Sequence, residues 1–328
     1  MKPFRYQHVA DVDSAVRTLS EISTAAYLAG GTNLVDLMKL EVAVPDLLVD
    51  VRRLTSDRID LHPDFVRIGA SVTNSALAAD PAIRERFPML SQAVLAGASG
   101  QLRNLATAGG NLLQRTRCVY FQDVTTPCNK REPGTGCSAR KGFHREHAIL
   151  GSSESCIATH PSDMAVALVA LDAVVNTQGP RGPRAIPLVG LHRLPGDHPE
   201  RDTVLEHGEL ITSIDIPSLG FATNSRYRKA RDRASYAFAL VSVAAALDVA
   251  DGEVRDVRLA LGGVAHKPWR ATRAETSLRG VSATAEAFRE AAEAELADAR
   301  PLPDNEFKIP LARNMIVGIL TELAEARR

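Results

Sequence analysis

The 328-residue chain has no run approaching the roughly 20 apolar residues of a membrane span, so no membrane insertion is expected. Its first residues, MKPFRYQHVADVDSA, lack an apolar core segment, which predicts no signal peptide. There is no basic excess either. Lys and Arg total 39, Asp and Glu total 39, and this balance argues against a nucleic-acid binder. There is no G-x-G-x-x-G and no Walker A loop, which excludes the usual Rossmann dinucleotide site and a nucleotide triphosphatase. Trp occurs once and Cys only four times. The cysteines do not form C-x2-C pairs, which tells against a zinc ribbon. With hydrophobic residues at 45%, the chain reads as soluble and globular, long enough for two or three domains.

Hydrophobic spacing gives the element order. Val12, Ala15, Val16 and Leu19 fall at helical period within 11–21. The segment 25–40 reads as strand, glycine turn and helix. Strands are predicted at 46–51 and 65–70, and Thr73 or Asn74 caps a helical stretch punctuated by Pro81 and Pro88. The segment 115–156 has neither period. SDMAVALVAL is helical, and ELITSIDIP is a strand stopped by Pro217. After Gly220 the pattern changes. Two apolar runs flank Asp251-Gly252, a hairpin signal, and two amphipathic helices follow.

Two glycine turns stand out, AGGTN at 29–33 and TAGGN at 107–111. Adjacent glycines let backbone N–H groups approach an anion, and Thr and Asn add side-chain donors. These turns are either a cradle for a pyrophosphate or two ordinary tight turns. All four cysteines lie just beyond the second turn, spaced Cys-x9-Cys-x8-Cys-x18-Cys from Cys118 to Cys156. A metal or cluster site, incidental buried thiols and disulfides are all open on spacing alone.

LAGGTNLVDLMK, TAGGNLLQ, PSDMAVAL, GELITSIDIP and YRKARDRASYAFALVSVAAAL occur in the order and rough spacing of a known group. The chain resembles the FAD-binding subunits of the molybdenum hydroxylases, the xanthine dehydrogenase, carbon monoxide dehydrogenase and aldehyde oxidoreductase family. GGVAHKPWRA resembles their C-terminal domain. The cysteine segment resembles an insertion in the flavin subunits of bacterial aldehyde oxidoreductases and of 4-hydroxybenzoyl-CoA reductase, with the aldehyde oxidoreductase type more similar.

That resemblance implies an α+β fold. A two-subdomain FAD-binding part of the vanillyl-alcohol-oxidase (PCMH) type would cover 1–220, divided into 1–55 and 56–220, with the cysteine insertion at about 115–156. An antiparallel sheet-and-helix domain of the CO dehydrogenase flavoprotein type would cover 221–328. It implies that Leu28, Ala29, Gly30, Gly31, Thr32, Asn33 and Leu34 wrap the FAD pyrophosphate, with Thr107, Gly110 and Asn111 at the phosphate and ribityl region. Asp163 would accept from sugar hydroxyls, Ile211 would border the flavin or adenine, and Lys229 would lie near the flavin system. Read without the resemblance, Asp163 is a helix N-terminal acid, Ile211 a core strand residue and Lys229 a surface lysine. Cys118, Cys128, Cys137 and Cys156 would hold a 4Fe–4S cluster. Arg115, Arg117, Lys130, Arg131, Arg140 and Lys141 could offset its negative charge.

The implied function is electron transfer in an oxidoreductase, with no catalytic residue acting on substrate in this chain. A molybdenum-cofactor subunit and a small 2Fe–2S subunit would be its partners, and an external acceptor would receive the electrons. The compartment expected is the cytoplasm, or the periplasm if a partner carries the folded chain across. Two rivals are a self-sufficient flavin oxidase and a metal-stabilised binding module. The first needs a substrate domain with its own base, for which the last hundred or so residues are too few.

Overall fold

Asp11 accepts a hydrogen bond from Ser14 N at 2.7 Å and starts the helix Val12–Glu21, whose Ala15, Val16 and Leu19 are buried. The computed structural model describes residues 1–326. This helix accompanies a parallel sheet of β1 (Arg5–His8), β2 (Ala25–Leu28) and β3 (Leu47–Asp50), in the order β1-β3-β2. The small core beneath it is Ala15, Leu19, Ala25, Leu47 and Val49.

The second sheet has five strands: β4 (Ile59–Leu61), β5 (Phe65–Gly69), β6 (Val174–Gly179), β7 (Gly182–Pro187) and β8 (Leu210–Pro217). Its order is β4-β5-β8-β6-β7, so β8 joins strands from either side of the long insertion. The predicted helical stretch before Ala98 is three helices, Asn74–Ala79, Pro81–Arg86 and Pro88–Ala96. Each proline starts a new helix at its first turn, where a missing N–H costs nothing. Thr73 caps the first of the three.

The third sheet is antiparallel, β12-β11-β10-β9, built from β9 (Ser225–Ala230), β10 (Val241–Ala250), β11 (Glu253–Gly262) and β12 (Trp269–Arg270). Asp251 and Gly252, both at positive φ, make the predicted hairpin turn. Alternate β10 residues point to opposite faces. Val241, Val243, Ala245 and Leu247 pack under the helices Ala285–Leu296 and Lys308–Glu325, whereas Ala244 and Ala246 join the core of the middle sheet. Burial on both faces explains why this strand reads as a nearly unbroken apolar run. The helix Asp163–Ala170 is buried at every position, wedged between the middle core and β10 and β11.

The hairpin β6–β7 and strand β9 are elements that the sequence reading did not assign. Pro183, Pro187 and the charged residues of β9 mask their alternation, and β7 and β9 are edge strands. Among the described residues no helix is long and apolar enough to cross a membrane.

Candidate functional site

The chain leaves β2 through Gly30 and Gly31. Gly31 has φ +72°, which lets the strand turn sharply into the helix Leu34–Lys39. Gly30 has a different reason. A Cβ there would stand 1.9 Å from the carbonyl oxygen of Leu105, so the first glycine turn lies directly on the segment leading to the second. That second segment is not a free-standing tight turn. Thr107 accepts from Gly110 N at 3.3 Å and caps a short helix, Ala108–Leu112, that contains both glycines. Gly109 packs on Ala70, while a Cβ on Gly110 would meet only Thr107 Oγ1 at 3.0 Å and Ala29 Cβ at 3.9 Å.

Between these turns runs a cleft of about 810 Å³. Every residue carried to the flavin site by resemblance lines it except Leu28: Ala29, Gly30, Gly31, Thr32, Asn33, Leu34, Thr107, Gly110, Asn111, Asp163, Ile211 and Lys229. Leu28 ends β2, and its side chain packs behind Gly31. The cleft wall carries unused polar capacity. Asn33 accepts from Arg115 N at 3.0 Å, yet its Nδ2 is buried and has no partner. Asn74 Oδ1, also on the wall, is likewise buried and unpartnered. Orphaned buried polar atoms are costly, so a ligand that accepts from one and donates to the other fits this wall. Asn111 is fixed in place, because its Oδ1 accepts from Gln114 Nε2 at 2.9 Å and from Ser162 Oγ at 2.5 Å.

Asp163 is more than a helix N-terminal acid. The cap of that helix is Ser162, and the Asp163 carboxylate turns inward to Tyr227 Oη at 2.5 Å and Lys229 Nζ at 2.7 Å. Lys229 is not at the surface. Its side chain is 3% exposed and also donates to Ala96 O at 3.1 Å. Burial pushes the Asp163 carboxyl above its ordinary value, opposed by Lys229 and Tyr227. A carboxyl raised in this way loses stability for the fold as pH rises through the window above its ordinary value. Lys229→Met removes the nearest cation from a buried carboxylate and should cost about 3–5 kcal/mol at neutral pH. The deficit should shrink as pH falls, because protonated Asp163 needs no cation. Thermal unfolding at two pH values measures it, and an equal deficit at both would refute the pairing.

The sequence reading missed the segment 231–238 at the mouth of the cleft. Tyr236 has φ +51° and is 57% exposed, and Phe238 lies under Arg117 at 5.3 Å. Asp232, Arg233, Tyr236 and Phe238 all reach the cleft wall. The segment lies within YRKARDRASYAFALVSVAAAL, beside Lys229, but no residue of it was assigned to the site.

Cys118, Cys128, Cys137 and Cys156 are free thiols that line a single small cavity. Cys128 and Cys137 face each other across an antiparallel bridge, closed by Gly134 and Gly136 at positive φ. Asn129 holds that loop together. It accepts from Gly136 N at 2.7 Å and donates to Ser155 O at 3.0 Å, which brings Cys156 alongside. Burial pushes the Cys118 thiol up to about 12 and the Cys156 thiol up to about 11. Among the described residues no group of three or more His, Cys, Asp or Glu is arranged to hold a metal ion. A cubane would offer a separate iron to each sulfur, so four such thiols need not converge on a single ion to hold one.

Of the six basic residues named for this segment, five are engaged by other partners, and Lys141 is exposed. Arg115 and Lys130 both pair with Asp202, Arg117 pairs with Asp36, and Arg140 with Glu154. Arg131 donates to the carbonyls of Tyr120, Phe121 and Thr126. These pairings tie the loop to its surroundings. Lys130 is the exception in part, because its charge still favours the Cys156 thiolate. The two regions meet: Cys118 and Asp163 line one further cavity, together with His147 and Phe238.

Residues 2–219 match the family described as FAD binding domain in molybdopterin dehydrogenase, and residues 225–323 match the CO dehydrogenase flavoprotein C-terminal domain. The chain belongs to the FAD-binding subunits of the molybdenum hydroxylases. Among the curated proteins, this flavin subunit is 50% identical to the aldehyde oxidoreductase FAD-binding subunit PaoB of Escherichia coli, over 98% of each chain. It is 27% identical to the carbon monoxide dehydrogenase medium chain of Hydrogenophaga pseudoflava, over 95% of this chain and 94% of the other. The solved structure of carbon monoxide dehydrogenase from that organism superposes with a TM-score of 0.77 over 99% of this flavin subunit and 98% of the other chain. The FAD fold and the oxidoreductase class expected from sequence therefore stand.

Proposed function

We propose that this chain is the electron-transfer subunit of a molybdenum-dependent aldehyde oxidoreductase, with FAD in the cleft and a 4Fe–4S cluster in the thiol cavity. The observation that carries the reading is the convergence of four free, buried or half-buried thiols on one cavity, whose Cys118 wall continues to Asp163 of the cleft. When bound, FAD supplies exchange between one- and two-electron steps, and a 4Fe–4S cluster supplies one-electron steps. The chain's own residues bind and orient. Gly30 and Gly31 let the backbone come close to the site of the pyrophosphate, the helix Ala108–Leu112 walls it with its first N–H groups already bonded to Val72, Ala70 and Thr107, and Asn33 and Asn111 offer amide N–H groups beside them. Asp163, held by Lys229 and Tyr227, presents a fixed carboxylate at the buried end.

The similarity to PaoB supports an aldehyde as the substrate of the assembled enzyme and supports a multi-subunit assembly. In it, a molybdenum-cofactor subunit and a 2Fe–2S subunit would deliver electrons to this chain for release to an external acceptor. The residue ranges 1–55, 56–220 and 221–328 are our proposed units. Anaerobically purified complex tests the cofactor assignment. This subunit should hold iron and FAD at about 4:1 beyond the iron of its partners. Zinc in place of iron, or four thiols titrating freely in the anaerobic protein, would overturn the cluster.

A further inference from the structure

Among the described residues, one side chain places a nitrogen within hydrogen-bonding distance of any of the four sulfurs. His147 Nε2 lies 3.1 Å from Cys118 Sγ. His147 is 4% exposed and its backbone is clamped. Its N–H donates to His144 O at 3.0 Å, and its carbonyl accepts from Lys308 Nζ at 2.9 Å and Asn305 Nδ2 at 3.2 Å. Lys308 is fully buried at the start of the last helix, so the C-terminal unit fixes the imidazole against a loop thiol.

The other ring nitrogen, Nδ1, is buried and has no partner. An orphaned buried N–H is costlier than an orphaned lone pair, so the ring proton belongs on Nε2, facing sulfur. We propose that His147 is a positioning residue for the iron–sulfur centre, donating Nε2–H to the Cys118 sulfur and raising the centre's reduction potential. The proposal rests on the 4Fe–4S reading of the thiol cavity. Reduction adds one electron to the cluster and no proton, and part of the added charge falls on the thiolates. A hydrogen bond to sulfur therefore strengthens on reduction and favours the reduced form. Because Cys118 also borders the cavity reaching Asp163, this bond sets the driving force on the side facing the flavin cleft.

The experiment uses the complete complex, with dithionite and mediators as the electron source and EPR of the reduced cluster as the readout. His147→Leu should bind the same iron as the natural chain and titrate at a lower potential. The expected change is about a tenfold lower reduced-to-oxidised ratio at fixed potential, or about 59 mV for a one-electron couple. His147→Gln keeps an N–H of similar reach and should stay near the natural value. In the unsubstituted complex, ¹⁵N-histidine should give a weak nitrogen coupling to the reduced cluster, a measurement that does not depend on either variant assembling. Full iron with no potential shift in His147→Leu, or no nitrogen coupling, overturns the inference while leaving the cluster in place. A strong coupling would make His147 a ligand and also overturn it. Absence of iron from the unsubstituted chain overturns the cluster reading and the inference with it.

Discussion

Cys156→Ala should reduce the iron of this subunit from about four atoms per chain to below one, with FAD kept near its full amount. The same result is expected for Cys118→Ala, Cys128→Ala and Cys137→Ala, because a cubane missing one thiolate exposes an iron to solvent and is lost as a unit. FAD should survive because the thiols lie outside the cleft wall and its glycine turns are held by other contacts. Cys156 is the sharpest case. It is buried, is separated from its nearest sequence neighbour in the set by 18 residues, and its segment is tied to the others through Asn129–Ser155 and through Arg140 to Ser153 and Glu154. Iron and flavin analysis of each variant decides the matter. A variant with full iron removes that cysteine from the ligand set, and full iron in all four removes the cluster.

Gly30→Val should produce the converse, loss of FAD with iron retained. The added Cβ would lie 1.9 Å from Leu105 O and 2.7 Å from Leu105 C, both backbone atoms of the opposing segment. Neither can swing aside as a flexible side chain would, so the two glycine-bearing segments must separate. Overpacking of this kind costs about 1–3 kcal/mol. If closing the cleft around FAD must supply that energy, affinity falls by about 5- to 100-fold at 1.4 kcal/mol per decade. Gly110→Val is the control for mechanism. Its Cβ would press on a side-chain atom, Thr107 Oγ1 at 3.0 Å, rather than on backbone, so it should lower FAD affinity by filling the cleft, with a smaller change in melting temperature of the flavin-free chain. Flavin fluorescence titration and thermal unfolding separate the two variants. Full FAD binding by both would make these glycines mere turn formers.

Much of the fold was legible because local signals agreed. Helices form at 11–21 and at SDMAVALVAL where the spacing predicts them, Thr73 is the cap of the two residues the sequence offered, and Asp251-Gly252 turns the predicted hairpin. Other features were hidden for specific reasons. TAGGN reads as a turn because glycine pairs usually break helices, yet Thr107 caps a single helical turn through them. Lys229 reads as a surface residue because lysine almost always is one, and only the opposing Asp163, 66 residues earlier, justifies its burial.

By itself the sequence determined most of the helices, part of the strand order, the two glycine segments and the presence of four cysteines in one irregular stretch. Residue type and spacing are local properties, and those features need nothing more. Only the tertiary structure decided that Gly30 rests on Leu105, that Asp163 meets Lys229 and Tyr227, and that His147 faces Cys118. These are contacts between segments far apart in the chain, which no local pattern records. Their chemistry comes from burial, because a carboxylate, an ammonium or a thiol removed from water takes its properties from whichever partner the fold places beside it.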